Sequence, residues 1–166
     1  MKAVGRDQRT QYRTRGASRA ARLPSHDYAA AVPLHVTVCT SGGRAVLIGP
    51  LAASVARSIE QTCRLLDYEP YAYCVMPDHV HVLLSPASSE TGLATWLRRF
   101  KSYTTRLDQR SAAEARLWQR SARDRVLRPK EPLTTVAAYL ARNPERKGLV
   151  ERWTDWPYTR VFVVPT

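Results

Sequence analysis

Cysteine is scarce in this chain: Cys39, Cys63 and Cys74 are the three in 166 residues, and no two have the spacing of a CxxC pair. An odd, scattered set excludes a disulfide framework and reads as small apolar side chains in a reducing compartment. Long apolar runs are missing too. No stretch approaches the roughly 18 residues of a membrane-spanning helix, and the first residues lack the charged-then-apolar order of a secretion signal. The expected location is therefore the cytoplasm. Acid is in short supply, with 14 Asp and Glu against 26 Lys and Arg. The resulting net charge of +12 exceeds what a domain needs for solubility. It points to a polyanionic partner, of which nucleic acid is the usual one.

At this length a single domain is expected, with enough chain to bury a core without crosslinks. Residues 1–27 are the exception, nearly devoid of apolar side chains but carrying Arg6, Arg9, Arg13, Arg15, Arg19 and Arg22. That is the composition of a mobile basic arm able to lie along a phosphate backbone, and equally of a disordered leader. The folded domain is expected over residues 28–166.

Within it, "PLHVTVCT" reads as a strand followed by the turn "SGGR". In "GPLAASVARSIEQTCRLLDY", Leu51, Val55, Ile59, Cys63 and Leu66 form one apolar stripe behind Pro50, which suits a first helical turn. "EPYAYCVMP" and "HVHVLLSP" are two strands joined by a Pro-Asp turn. A second amphipathic helix, "ETGLATWLRRFKSYTTRLD", turns Leu93, Trp96, Leu97, Phe100 and Leu107 inward. A fourth strand is expected near residues 122–128, and a last helix, "EPLTTVAAYLARN", is expected to end at Pro144. The order strand, helix, strand, strand, helix, strand, plus an extra helix, is that of an α+β, ferredoxin-like split βαβ fold. It predicts an antiparallel sheet with two helices on one face.

The chain has four histidines, and two of them, His79 and His81, stand one residue apart in "YCVMPDHVHVLLSP". Residues i and i+2 of a strand share a face, so both lie with Leu83, while Val80, Val82 and Leu84 face the other way. The Val-Leu side is the natural seat of the two helices. The imidazoles are left together on the opposite face, where they can converge on one divalent ion. In the last helix, Leu133, Val136, Ala137 and Leu140 mark the core stripe. Tyr139 lies beside that stripe, and Asn143 one turn further on the same side. Asn143 precedes Pro144, which biases it out of helical geometry and frees its side chain.

"VMPDHVHVLL", "LWQRSARDRVLR", "AYLARNPERKGLV" and "WPYTR", in this order, resemble the REP-associated tyrosine transposases, single-tyrosine members of the HUH endonucleases. The likeness runs over residues 33–160 and leaves out the arm. It implies cleavage of single-stranded DNA, a ferredoxin-like core whose extra helix carries the nucleophile, and a divalent metal, Mg²⁺ or Mn²⁺. By position it makes His79 and His81 metal ligands, Tyr139 the catalytic nucleophile and Asn143 a third ligand. It also implies hairpin-bearing DNA as partner, a nucleoid-associated location, no nucleotide cofactor, and either a monomer or a homodimer. Two departures stand out: Asp78 where Asn or Glu is frequent, and "SARD" without the usual aromatic, which leaves Asp124 without a role. On the second helix, Arg98, Arg99, Lys101 and Arg106 lie off the apolar stripe and are expected to contact DNA phosphates. His35 and Trp118-Gln119 read as structural. The rivals are a non-catalytic DNA-binding regulator on the same fold and a phosphoesterase that activates water.

Overall fold

The structure, a computed structural model, describes residues 32–87, 91–108 and 116–163. The basic arm at 1–27 lies outside the described residues. Five strands, β1 (Leu34–Cys39), β2 (Tyr68–Val75), β3 (His79–Pro86), β4 (Arg123–Val126) and β5 (Thr159–Val161), form one sheet in the order β4-β1-β3-β2-β5. Every pairing is antiparallel. The first four strands, with α1 (Gly49–Leu65) between β1 and β2 and α2 (Leu93–Leu107) between β3 and β4, make the ferredoxin-like arrangement expected from the sequence. β5 is an addition. Its three residues extend the sheet beyond β2, too short a run to stand out in a sequence.

The alternation of each strand decides what covers each face. Val36, Val38, Val80, Val82 and Leu84 are buried with Val55, Ile59 and Cys63 of α1 and Trp96 and Phe100 of α2. Trp96 and Phe100 stack at 5.1 Å between ring centroids, and Phe100 meets Trp118 at 5.5 Å. Trp118, whose indole N–H donates to Thr104 Oγ1 at 2.8 Å, is part of this core. The other face carries a second, smaller core. Ala72, Cys74 and Met76 of the β2 segment and Leu83 of β3 pack against Val136, Ala137 and Leu140 of α3 (Leu133–Ala141).

The last helical segment differs from expectation. Helical geometry stops at Ala141, and a separate turn, α4 (Asn143–Arg146), begins around Pro144. Proline does not end the helix here. It sits in the first turn of the next, where its missing N–H costs nothing.

Candidate active site

β3 puts His79 and His81 on the sheet face opposite α1 and α2, the side predicted by alternation. α3 lies against β2 and β5 on that same face. The β1–β4 half of it, with His35, Thr37, Arg123 and Arg125, stays half-buried or exposed. Register makes two rows across this half. Arg123 lies opposite Thr37 and Thr37 opposite His81, while Arg125, His35 and Leu83 form the next row. The histidines thus sit at the foot of a wall made by α3, with an open floor beside them.

Both rings are fixed. Asp78 Oδ1 lies 2.6 Å from His79 Nδ1, and a carboxylate can only accept, so Nδ1 donates to it and Nε2 is the nitrogen turned towards His81. His81 Nδ1 lies 3.1 Å from both Thr37 Oγ1 and His35 Nε2. The two Nε2 atoms face each other at 3.0 Å. Burial, with the charges of His79, His35 and Arg146 behind it, pulls the His81 pKa down to about 3. The ring is therefore neutral at physiological pH, the form that ligates a metal.

This donor set fits a divalent ion. Two ligand atoms at about 2.1 Å from one ion, with bonds at a right angle, stand about 3.0 Å apart. Each imidazole also has a partner on its other nitrogen, the outer support that fixes tautomer and orientation in metal sites. Among the described residues, no group of three or more His, Cys, Asp and Glu side chains is placed to hold a metal. Among these residues a third protein ligand would be an amide, a hydroxyl or a backbone carbonyl.

Tyr139 stands on α3 between the core residues Ala137 and Leu140 and is itself 61 % exposed. The guanidinium of Arg146 lies over its ring, 3.8 Å from the centroid. Arg146 also donates from Nη1 to the Tyr139 carbonyl at 2.8 Å and from Nη2 to Asn143 Oδ1 at 2.6 Å. Asn143 Nδ2 donates to the Leu140 carbonyl at 2.8 Å. Tyr139 and Asn143 are thus gathered around one arginine, whose charge also reaches His81.

The basic quartet of α2 is placed elsewhere. Arg98, Arg99, Lys101 and Arg106 belong to the helix layer on the face away from the histidines. Lys101 donates to the carbonyls of Gln119, Arg120 and Ser121 at 2.8, 3.2 and 3.2 Å. It ties α2 to the segment leading into β4. Asp124 faces the same side and, with Arg98 and Arg120, lines a cavity of about 500 Å³ beside α2. Sequence reasoning passed over Arg123, Thr37 and Arg146. Arg146 had a signal, three residues beyond Asn143 and so one of its neighbours in a helical turn. Thr37 had none, because only strand register brings it to His81.

A family model described as transposase, IS200-like, matches residues 29–143. The chain belongs to the IS200-like transposase family. A candidate REP-associated tyrosine transposase of Haemophilus influenzae is 28% identical over 110 residues, covering 60% of this chain and 62% of that protein. The match thus spans less than two thirds of the relative's length. Among solved structures, a REP-associated tyrosine transposase bound to a REP hairpin matches with a TM-score of 0.67 at 20% identity, covering 78% of this chain and 76% of the other. A candidate transposase of Deinococcus radiodurans matches with a TM-score of 0.51, also at 20% identity, over 66% of this chain and 88% of that one. At that identity the likeness is one of fold. This member of the family has the same antiparallel sheet with helices.

Proposed function

We propose that this IS200-like transposase is a metal-dependent, single-tyrosine endonuclease and strand transferase acting on hairpin-bearing single-stranded DNA. The observation that carries the reading is the pair of Nε2 atoms 3.0 Å apart on the face that also seats the helix of Tyr139. His79 and His81 would hold the ion, with the Asn143 amide oxygen as third donor. When bound, Mg²⁺ or Mn²⁺ supplies Lewis-acid polarisation of the scissile phosphate and charge relief for the departing oxygen. Tyr139 Oη attacks phosphorus, losing its proton to solvent as the P–O3′ bond breaks and the 3′ oxygen leaves as a hydroxyl. The product is a 5′-phosphotyrosine. One phosphodiester has replaced another, so the reverse attack reseals a strand without a nucleotide cofactor. The hairpin preference draws on the relative whose solved structure holds a REP hairpin.

The test is a denaturant-resistant protein–DNA adduct. Wild type with Mg²⁺ or Mn²⁺ and a labelled hairpin-bearing oligonucleotide forms one, mapped by mass spectrometry to the Tyr139 peptide. Tyr139→Phe removes one oxygen from an exposed ring, so fold and binding survive and the adduct is lost. His79→Ala with His81→Ala abolishes cleavage while most DNA affinity, supplied by phosphate contacts, persists. Undiminished adduct in the Phe variant moves the nucleophile elsewhere. Cleavage by wild type with no adduct favours activated water instead.

A further inference from the structure

We propose that Arg146 sets Tyr139 for attack and itself receives the scissile phosphate, which no motif in the sequence assigns to it. The inference rests on Tyr139 being the nucleophile. Among the described residues Tyr139 is the most exposed of the large hydrophobic side chains that face solvent, so packing alone leaves its ring free to swing. What restrains it is Arg146. The guanidinium lies 3.8 Å from the ring centroid and is anchored at both Nη atoms, to the Tyr139 carbonyl and to Asn143 Oδ1. A cation held over the ring and tied to the same residue's backbone limits how the ring can turn. The short α4 holds the arginine in place, since Arg146 ends the turn that begins at Asn143.

The second half of the role follows from charge. Arg146 is solvent-exposed, and it hydrogen-bonds the Tyr139 carbonyl and Asn143 Oδ1. It belongs to the helical wall that stands on the same sheet face as the histidines. Its contacts use only part of the guanidinium fork, and both acceptors are neutral carbonyl oxygens. A phosphate oxygen is the stronger acceptor, because its hydrogen bonds are charge-assisted and can be bidentate. A phosphodiester lying over His79 and His81 would draw the guanidinium while the ring stays beside it.

A purely structural role is the rival. Arg146 satisfies a carbonyl in the last turn of α3, a group that needs a partner in any case. Two readouts separate the roles. The substrate is a hairpin-bearing oligonucleotide selected by wild-type adduct formation from a library with randomised single-stranded flanks, its cleaved linkage mapped. At saturating DNA, Arg146→Ala forms adduct on the order of 100-fold more slowly, the penalty of a misplaced nucleophile. Its dissociation constant measured in chelator rises only a few-fold. Arg146→Lys restores affinity but only part of the rate, since an ammonium gives a point charge without the planar fork. Next, the cleaved linkage is replaced by an uncharged methylphosphonate. Wild-type binding weakens, while Arg146→Ala binds charged and uncharged versions alike. An alanine variant with wild-type rate at saturating DNA overturns the proposal, as does an equal methylphosphonate penalty in both proteins. Those results with a normal wild-type adduct sink the role of Arg146 alone, whereas a wild type that forms no adduct sinks the nucleophile with it.

Discussion

His79 and His81 owe their convergence to one rule, that residues two apart in a strand share a face, and that rule is readable without a structure. What holds the rings is not. Asp78 is a sequence neighbour, but Thr37 and His35 come from 44 and 46 residues away, and only the β1–β3 register places them at His81. The same contrast applies to the thiols, whose scatter implied core positions and whose chemistry depends on how deeply each is buried. Burial pushes Cys63 up to about 12 and Cys74 up to about 11 from an ordinary 9.0, while half-exposed Cys39 is also raised. A raised folded-state pKa means that the native protein keeps a proton the unfolded chain has lost. The stabilisation is complete below about pH 9 and disappears as pH climbs towards 11 and 12. Denaturant unfolding measured from pH 8 upward should show stability falling through that window, with a shallower fall in Cys63→Ala relative to its own value at pH 8. Native-state alkylation at pH 8 should label Cys39 ahead of the other two, and preferential labelling of Cys63 would contradict the burial assigned to it.

Elements built on long periodic stretches were legible, and those that depend on a neighbour were not. Val55, Ile59 and Cys63 of the α1 stripe and the Trp96–Phe100 side of α2 are buried as the 3.6-residue period requires, with Leu51 and Leu66 partly buried at the ends of the stripe. β5 is three residues at a sheet edge and has no pattern of its own. The break between α3 and α4 hides behind a proline that the sequence offers equally as a stop or a start. On α2, polarity and charge suggested phosphate contacts, yet a lysine on a helix has two fates, and Lys101 meets three carbonyls. Burial lowers its pKa, in keeping with a structural clip. Lys101→Met should cost about 1–2 kcal/mol in unfolding free energy, in the lower part of the range for charged hydrogen bonds because the ammonium is only half-buried. The salt dependence of DNA binding should not change. Arg123 on edge strand β4 should behave in the opposite way, being exposed on the histidine face in the row of Thr37 and His81. Arg123→Ala should leave stability unaltered and reduce the slope of log affinity against log salt for single-stranded DNA by about 0.7, one phosphate contact. A steeper loss from Arg98→Ala with Arg99→Ala than from Arg123→Ala would place the strand on the helix layer instead.

Across the whole molecule the sheet separates two jobs. One face, closed by α1 and α2, holds the larger core, and the other, half covered by α3, holds the histidines and Tyr139. Charge follows a different division. Residues 1–27 carry seven cations against two acids, which leaves seven of the twelve net positive charges on residues 28–166. Binding and chemistry should therefore come apart when the arm is removed. Affinity for a polyanion scales with the phosphates neutralised, and each contact to a single strand contributes about 0.7 to the salt slope. In the proposed reaction bond breaking would instead depend on groups held by β3, α3 and α4, none of which lies in the arm. A chain starting at residue 28 should bind a hairpin-bearing oligonucleotide more weakly than the full chain at 50 mM salt, with a slope smaller by on the order of one or more contacts. At DNA concentrations that saturate each protein, the two should form the covalent adduct at rates within about threefold, since the reacting geometry is the same. Anisotropy titrations across a salt series give the slopes, and single-turnover adduct formation gives the rates. An equal slope in both proteins would show that the arm neutralises no phosphates. A rate lost at saturation would make the arm part of the reacting site, and the division between arm and domain would then be wrong.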